Sequence, residues 1–269
     1  MKTETPDTIV LIHGLWMTPR SWAHWVKHYE ARGFKVLAPT YPGLEGEVQA
    51  LRADPSPIAE LSVQKVVDHY AAIVSALPTK PILIGHSFGG TVVQLLLDRG
   101  LGAAGIVIDS APVKGVLRVP FTQVRSTFHV LKNPANRNRA VPISFEAFNY
   151  AFTNTLSEDE ARAAYEQFAI PSPGRILFEG ATINLDPKSA AKVDFEKPDR
   201  APLFFIAGEK DHIMPAALNR ANARKYKSGV VAFREFEGRD HFIVGEKGWE
   251  EVADAALAWA VKPEAVGLA

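Results

Sequence analysis

The sequence predicts an α/β protein with a mostly parallel central sheet of about six strands and helices on both faces. Three observations support this prediction. Short runs rich in β-branched and aromatic residues recur along the chain, and segments with helical hydrophobic periodicity separate most of them. The interval 113–199 is instead far longer than a simple crossover needs, which predicts an inserted helical cap on a core made of 1–112 and 200–269.

The predicted strands end at or near Gly, Pro, Asp or Ser, and their apolar runs are typical of strands buried on both faces. Their alternation with helices favours right-handed βαβ units. In chain order the runs are TIVLIHG at 8–14, FKVLAPTYPG at 34–43, PILIGHS at 81–87, AAGIVIDSAP at 103–112, APLFFIAGEKD at 201–211 and VVAFREF at 230–236.

The predicted helices carry terminal signals as well as periodicity. Pro19 stands at a first helical position, and Gly33 follows the end of the same segment. Ser157 and the acidic residues after it are typical of a helix N-terminus within the cap. The remaining predicted helices lie at 62–77, 88–98, 144–156, 215–227 and 248–261.

The composition excludes several classes of function. Lys and Arg together number 30, as do Asp and Glu, so the charge balance favours a small or neutral substrate and no nucleic acid or membrane partner. The chain has no cysteine, which excludes a thiol nucleophile, a disulfide framework and a cysteine zinc site. The polar N-terminal stretch and the lack of a long apolar run predict a soluble, cytoplasmic protein.

Polar residues follow the predicted strands at the sheet edge where α/β folds bind ligands. Ser87 lies in GHSFGG after the third strand, Asp109 follows the fourth, Asp211 the fifth, and His241 comes shortly after the sixth. The G-x-S-x-G pattern between a strand and a helix predicts a sharp turn that exposes the Ser87 hydroxyl. A serine, two candidate acids and a histidine therefore project from one edge.

In these residues the chain resembles the α/β-hydrolases, and among them the capped, esterase-like and lipase-like serine enzymes. Ser87, Asp211 and His241 stand in that family's order of nucleophile, acid and histidine. Three further segments resemble its loops: HGLW at 13–16, GEKDHIMP at 208–215 and GRDHF at 238–242.

The resemblance implies a role for each of these residues. Ser87 would be the nucleophile, His241 the general base and Asp211 its acid, with the amides of Leu15 and Phe88 as the oxyanion hole. It implies hydrolysis of a carboxylic ester or lactone of a small to medium apolar substrate through an acyl enzyme, with no metal or organic cofactor.

The chain departs from the family at its start, because the first two strands often found there have no counterpart before TIVLIHG. We therefore expect the first strand to lie centrally, between the second and the third. From the first strand, the chain then moves to one side of the sheet to form the second strand and to the opposite side to form the third. That reversal opens a crevice with Leu15 on one wall and Ser87 on the other.

Several assignments stay open on the sequence alone. Asp109, Glu209 and Asp240 are rivals of Asp211 for the acid, and His129 in the cap is a further histidine that could touch substrate. Aromatic residues of the loop and cap are candidates for an acyl pocket, although some would only pack the cap. These candidates are Trp16, Phe121, Phe128 and Phe148.

Three other functions fit the same triad. A hydroxynitrile-lyase-like enzyme would use it as a base, and a perhydrolase would replace water with peroxide. A ligand receptor would keep the triad with vestigial hydrolysis and signal through its cap. The sequence does not choose the natural substrate or the oligomeric state.

Overall fold

A single parallel sheet forms the centre of the computed structural model, which describes residues 6–268. The strands in chain order are β1 (Thr8–Ile12), β2 (Lys35–Leu37), β3 (Ile82–His86), β4 (Ala104–Ile108), β5 (Ala140–Val141), β6 (Ser172–Pro173), β7 (Leu203–Gly208) and β8 (Val231–Phe236). Six of them make the central sheet in the order β2-β1-β3-β4-β7-β8. The predicted α/β class and the central position of β1 are confirmed.

Ten α-helices accompany these strands within the described residues. They are α1 (Ala23–Glu30), α2 (Val48–Ala53), α3 (Val63–Ser75), α4 (Phe88–Asp98), α5 (Phe121–Leu131), α6 (Phe145–Phe152), α7 (Glu158–Phe168), α8 (Gly174–Ala181), α9 (Ala216–Ala223) and α10 (Trp249–Val261). Short 3-10 turns lie at Pro19–Trp22, Ser56–Ile58 and Pro134–Asn138. None of the helices within residues 6–268 combines the length and apolarity needed to cross a membrane.

The inner strands β1, β3 and β4 are buried on both faces of the sheet, because apolar side chains occupy consecutive positions and therefore point to both sides. In β1, Val10 and Ile12 pack into the apolar layer that includes α3 and α4. Ile9 and Leu11 point to the other face and pack with Trp22, α1 and α10. All five residues of β1 are buried, as expected of a strand covered on both sides.

The segment between β4 and β7 contains helices α5 to α8 together with a small second sheet. Ser157 caps α7 through a capping box with Glu160, which confirms the predicted N-cap. The same segment also contains one short antiparallel pair, because β5 and β6 pair through Ala140–Pro173 and Val141–Ser172. The division of the chain at 112 and 200 stays a prediction.

Candidate active site

Strand β3 ends in a sharp turn that places Ser87 at the start of α4. The backbone of Ser87 has φ 56° and ψ −122°, a strained conformation for any residue with a side chain. Hydrogen bonds on both sides hold it there. Its N–H donates to Ile108 O at 2.9 Å, and its carbonyl accepts from the N–H groups of Gly90 and Ala111 at 3.0 Å.

Glycine is required at two positions around this turn because the backbone passes too closely for a Cβ. A Cβ on Gly85 would lie 2.2 Å from the carbonyl oxygen of Gly89, inside the turn itself. A Cβ on Gly89 would lie 2.2 Å from the carbonyl oxygen of Ile12, at the end of β1. The second contact fixes how closely the Ser87 turn approaches the loop that follows β1.

His241 and Asp211 form a buried pair beside this turn. The His241 Nδ1 lies 2.6 Å from Asp211 Oδ2, and both side chains are fully buried. The other Asp211 oxygen accepts from the N–H groups of Ile213 at 2.7 Å and Met214 at 2.8 Å. With Asp211 Oδ2 accepting from Nδ1–H of His241, the Nε2 lone pair of the ring is left available.

The Nε2 atom of His241 is buried and has no hydrogen-bond partner among the described residues. Phe152 packs its ring edge-on against the His241 ring at a centroid distance of 4.8 Å. The imidazole is therefore fixed by Asp211 on one side and by the cap on another. One of its nitrogens is free for proton transfer.

His86, the last residue of β3, forms a hydrogen bond with the loop that carries His241, here called the histidine loop. Its Nε2 lies 2.8 Å from the carbonyl oxygen of His241, and the two rings are 4.6 Å apart. Burial, followed by the neighbouring His241, holds the pKa of His86 well below its ordinary value. A neutral His86 that donates Nε2–H to this carbonyl is a positioning residue for His241.

Asp109, the strongest rival for the acid, lies behind Asp211. Its Oδ1 accepts from the Gly208 N–H at 2.7 Å. Complete burial, followed by the nearby Asp211 carboxylate, raises the pKa of Asp109 well above its ordinary value. Asp109 is bonded to the β7 backbone, whereas the His241 ring is bonded to Asp211, so the geometry favours a supporting place for Asp109.

The other two rivals take structural places. Asp240 accepts from the backbone N–H of Thr155 at 3.0 Å and from its hydroxyl at 2.7 Å, which ties the cap to the histidine loop. Glu209 is exposed and accepts from the Gly238 N–H at 3.0 Å. Neither carboxylate is bonded to the His241 ring.

Side chains that could bind a metal also meet here. Ligand atoms of His86, Asp109 and His241 lie within 4.8 Å of one another, and all three residues are buried. His241 belongs to the pair with Asp211, and His86 is already bonded to the His241 carbonyl. The closeness of these three residues therefore follows from the placement of His241 and of the residues that support it.

A cavity of about 410 Å³ opens above Ser87. Leu15 and Phe88, the two candidate oxyanion donors, line it together with Ser87. The N–H groups in the first turn of a helix lack intrahelical partners, so the Phe88 amide at the start of α4 is placed to donate. Trp16 also lines the cavity, with φ 60°.

Three of the four aromatic pocket candidates lie elsewhere. Phe121 and Phe128 are 78% and 58% exposed on the outer side of α5 and are absent from the cavity lining. Phe148 is fully buried, stacked on Phe152 at 4.8 Å, and packs α6 within the cap. Their aromatic character and their place in the cap made these side chains candidates, but neither tells whether a side chain faces a cavity, the core or solvent.

The cavity wall comes mainly from cap residues that the sequence analysis did not single out. Apolar side chains dominate it, with Gln123 and Asn184 among the polar ones. The apolar members include Val63, Val116, Ile176, Leu177, Ile183 and Ile213. His129 is half-buried in α5, its ring 5.7 Å from that of Trp16, and does not line the cavity.

The model of the family described as "Alpha/beta hydrolase family" matches residues 9–255. The chain belongs to the α/β-hydrolase family. It is 25% identical to a monoacylglycerol lipase of Mycolicibacterium smegmatis, over 96% of this chain and 90% of the relative.

Solved α/β-hydrolase structures share the fold across nearly the whole chain. An extracellular α/β-hydrolase from a Paenibacillus species superposes with a TM-score of 0.69 at 22% identity, over 95% of this chain and 99% of its own. A pyrethroid hydrolase from Sphingobium faniae gives 0.68 at 22% identity, over 96% and 99%. In this α/β-hydrolase, the strand–turn–helix at Ser87 and the loops after β1, β7 and β8 therefore occur in the expected fold.

Proposed function

We propose that this α/β-hydrolase cleaves a carboxylic ester or lactone through an acyl enzyme formed on Ser87. One observation carries the proposal: the strained Ser87 opens onto a cavity beside the buried His241–Asp211 pair, whose Nε2 lacks a partner. The monoacylglycerol lipase and the pyrethroid hydrolase named above are relatives whose names agree with ester hydrolysis.

Acylation begins when the Ser87 Oγ attacks the carbonyl carbon and its proton passes to His241 Nε2. The oxygen of the tetrahedral intermediate takes the negative charge and accepts hydrogen bonds from the amides of Leu15 and Phe88. Asp211 stabilises the imidazolium that forms. The intermediate collapses as the C–O bond to the alcohol breaks, and the alcohol leaves with the proton from His241.

Deacylation repeats these steps with water as the nucleophile. His241 Nε2 removes a proton from water, the hydroxide adds to the acyl carbon, and the oxyanion again faces the two amides. The bond to Ser87 then breaks, and the Ser87 oxygen recovers the proton. The carboxylic acid leaves, and the enzyme returns to its starting state.

The cavity sets the class of substrate. Its volume of about 410 Å³ and its mainly apolar wall fit a small to medium apolar ester. The polar side chains on the wall, among them Gln123 and Asn184, would orient the substrate. We expect turnover of aryl or alkyl esters with short to medium acyl chains.

A fluorophosphonate probe tests the nucleophile. Intact protein mass should increase by one adduct, and Ser87→Ala should show none and lose about 10⁶-fold in kcat on a nitrophenyl ester. Ser189→Ala removes a different hydroxyl from the same cavity and should still be labelled. Labelling that persists in Ser87→Ala, or cyanohydrin cleavage without ester hydrolysis, would contradict the proposal.

A further inference from the structure

Six of the eight large apolar side chains that are exposed among the described residues belong to the cap segment. Isolated exposed apolar residues are common on soluble proteins, but a contiguous group marks an interaction site. The group, here called the cap patch, consists of Leu117 (74% exposed), Val119 (68%), Phe121 (78%), Val124 (44%), Phe128 (58%) and Leu185 (83%).

Helix α5 turns its apolar face outward. Phe121, Val124 and Phe128 recur at i, i+3 and i+7, so they share one side of the helix, and all three are exposed. A helix on the surface of a soluble domain is expected to bury such a stripe. The outward direction of this stripe requires an explanation other than folding of the chain itself.

The inner side of α5 is partly polar. Ser126 and Thr127 are buried together with Val130. The two hydroxyls donate to carbonyl oxygens one turn back, at 2.9 Å to Thr122 O and 3.0 Å to Gln123 O, so they can face inward without an unmet hydrogen bond. The hydroxyls on the inner side of α5 therefore make their hydrogen bonds within the helix. This orientation of the helix does not require burial of its aromatic residues.

Two loops extend the cap patch beyond the helix. Asn184 joins them, because its Nδ2 donates to Val116 O at 2.8 Å and its Oδ1 accepts from the Gly115 N–H at 2.7 Å. Leu117 and Leu185 follow directly after these bonded residues. The most exposed leucines of the cap are therefore held beside each other on ordered loops.

The segment that carries five of the six cap-patch residues, all except Leu185, is strongly basic. Residues 113–145 contain no Asp or Glu, although the whole chain has as many acidic as basic residues. Cations beside exposed apolar side chains are typical of a surface that binds anionic lipids. The basic residues of this segment are Lys114, Arg118, Arg125, Lys132, Arg137 and Arg139.

The cap patch is continuous with the cavity. Val119 and Val124 belong to the patch and also line the cavity that contains Ser87, and Arg118 lies between patch and cavity. An apolar molecule that leaves a lipid surface at this point can enter the cavity without crossing bulk water. This continuity favours a lipid surface over a protein partner, which would obstruct the entrance.

We propose that the cap patch docks on an anionic lipid surface and admits apolar esters from it to the cavity. The docking is independent of catalysis, whereas the admission of esters rests on the proposed function. The charge balance of the whole sequence predicted no membrane partner. That balance adds the basic residues of 113–145 to the acidic residues elsewhere in the chain, so it does not show the local charge of this segment. Docking of this kind needs no membrane-spanning helix.

Vesicle co-sedimentation of Ser87→Ala tests docking without turnover, so a failure of the proposed chemistry does not affect the result. Vesicles of equimolar phosphatidylcholine and phosphatidylglycerol should bind the protein, and pure phosphatidylcholine should bind it far less. Added salt should weaken binding, because the basic residues act within a Debye length of the surface.

Variants localise the binding to the cap patch. Phe121→Ser combined with Phe128→Ser should weaken vesicle binding about 100-fold, because two large apolar side chains no longer insert. Lys132→Gln should weaken it about fivefold. Val261→Ser and Lys225→Gln change exposed residues outside the cap and should bind as the parent does. Circular dichroism checks that each variant is folded.

Two results would overturn the proposal. One is an absence of binding to the anionic vesicles, or binding that the double phenylalanine variant leaves unchanged. The other is sedimentation velocity showing a dimer that dissociates in that variant, since a second copy of the chain would then cover the cap patch.

Discussion

Ser87 is held in an unfavourable backbone conformation by neighbours that leave no space for an alternative. The hydrogen bonds of its N–H and carbonyl fix the turn from both sides, and the glycines allow the chain to pass. Strain of this kind costs about 1–3 kcal/mol and persists only where surrounding contacts determine it. The geometry of Ser87 is therefore a property of the turn and of β1 together.

Gly85→Ala tests this dependence. The added methyl would meet the Gly89 carbonyl at 2.2 Å, so we expect a loss of about 1–3 kcal/mol in the free energy of unfolding and a large fall in activity. Gly180→Ala in α8 is the matched control, since nothing lies within 4 Å of its added Cβ. Urea denaturation compares the two, and equal stabilities would contradict the explanation.

Asp109 is predicted to act as a protonated acid. Because its folded pKa is raised, the stability that its proton contributes is full below the ordinary Asp pKa and falls as pH rises through the folded pKa. Asp109→Asn has no such proton to lose, so it should gain stability relative to the parent as pH rises and retain most activity. Unfolding measured across pH checks the sign.

Asp109→Ala tests how much the hydrogen bond from the Gly208 N–H to Asp109 stabilises the fold. It leaves the Gly208 N–H without its acceptor and should cost about 1–3 kcal/mol of stability. If Asp109→Asn instead lost activity as severely as Asp211→Asn, Asp109 would be an ionised participant, and the assignment of Asp211 as the acid would have to be revised.

At the scale of elements, the loop between β8 and α10 carries His241 and is fixed from several directions. Asp240 binds Thr155 of the cap, the Phe242 N–H donates to Phe152 O at 2.9 Å, and the His241 carbonyl accepts from His86. The loop therefore connects the cap, the turn at Ser87 and the sheet. Changes in the cap should reach the general base through it.

Glu246 gives this loop a pH dependence. Burial, followed by the nearby Asp240, raises the pKa of Glu246 to about 7, although Arg239 lies 3.5 Å away. The stability from its proton is full below an ordinary Glu pKa of about 4.3 and is lost as pH rises through about 7. Glu246→Gln should therefore flatten the fall in melting temperature between these values.

The exposed Glu250 provides the control for that measurement, and Glu250→Gln should leave the pH profile of the parent unchanged. A parent whose melting temperature rises over the same interval would contradict the assignment to Glu246. The measurement follows stability alone, so it does not depend on the identity of the substrate.

Some helices could be predicted from their own sequence, and others could not. Helix α7 could be predicted to its first residue, because Ser157 and the acidic turn after it satisfy the local backbone. Helix α5 could not, because its apolar spacing gives a stripe without saying which way the stripe faces. Its outward face goes with the burial of Ser126, Thr127 and Val130 on the opposite side of the helix, which the spacing alone does not show.

At the scale of the whole molecule, the place of β1 between β2 and β3 could be predicted from the family resemblance of the run that ends in HGLW. The triad candidates could be predicted because the carboxyl ends of parallel strands share one edge of the sheet. The cavity wall could not be predicted, because it comes from side chains of several cap helices. Their relative positions depend on contacts between distant segments such as Ile170 N–H to Trp16 O at 3.0 Å.

These contacts predict that cap and core unfold together. Arg52 from the core donates to the carbonyl oxygens of Ala169 at 2.7 Å and Tyr165 at 2.7 Å, which adds to the bond of Ile170. All 5 tryptophans lie outside 113–199. In a Trp16→Phe variant, which removes the one in ring contact with cap residues, tryptophan fluorescence reports the core, whereas far-ultraviolet circular dichroism reports both parts. Coincident urea transitions by the two methods are expected, and an earlier transition in circular dichroism would show an independent cap.

The contact of Gly89 with the Ile12 carbonyl limits how this enzyme can change over evolutionary time. A methyl group is the smallest increment in side-chain size, and at 2.2 Å it is already too large. Gradual substitution therefore cannot adjust the spacing between the Ser87 turn and the loop that follows β1. Adaptation to new substrates is left to the cap, which provides most of the cavity wall.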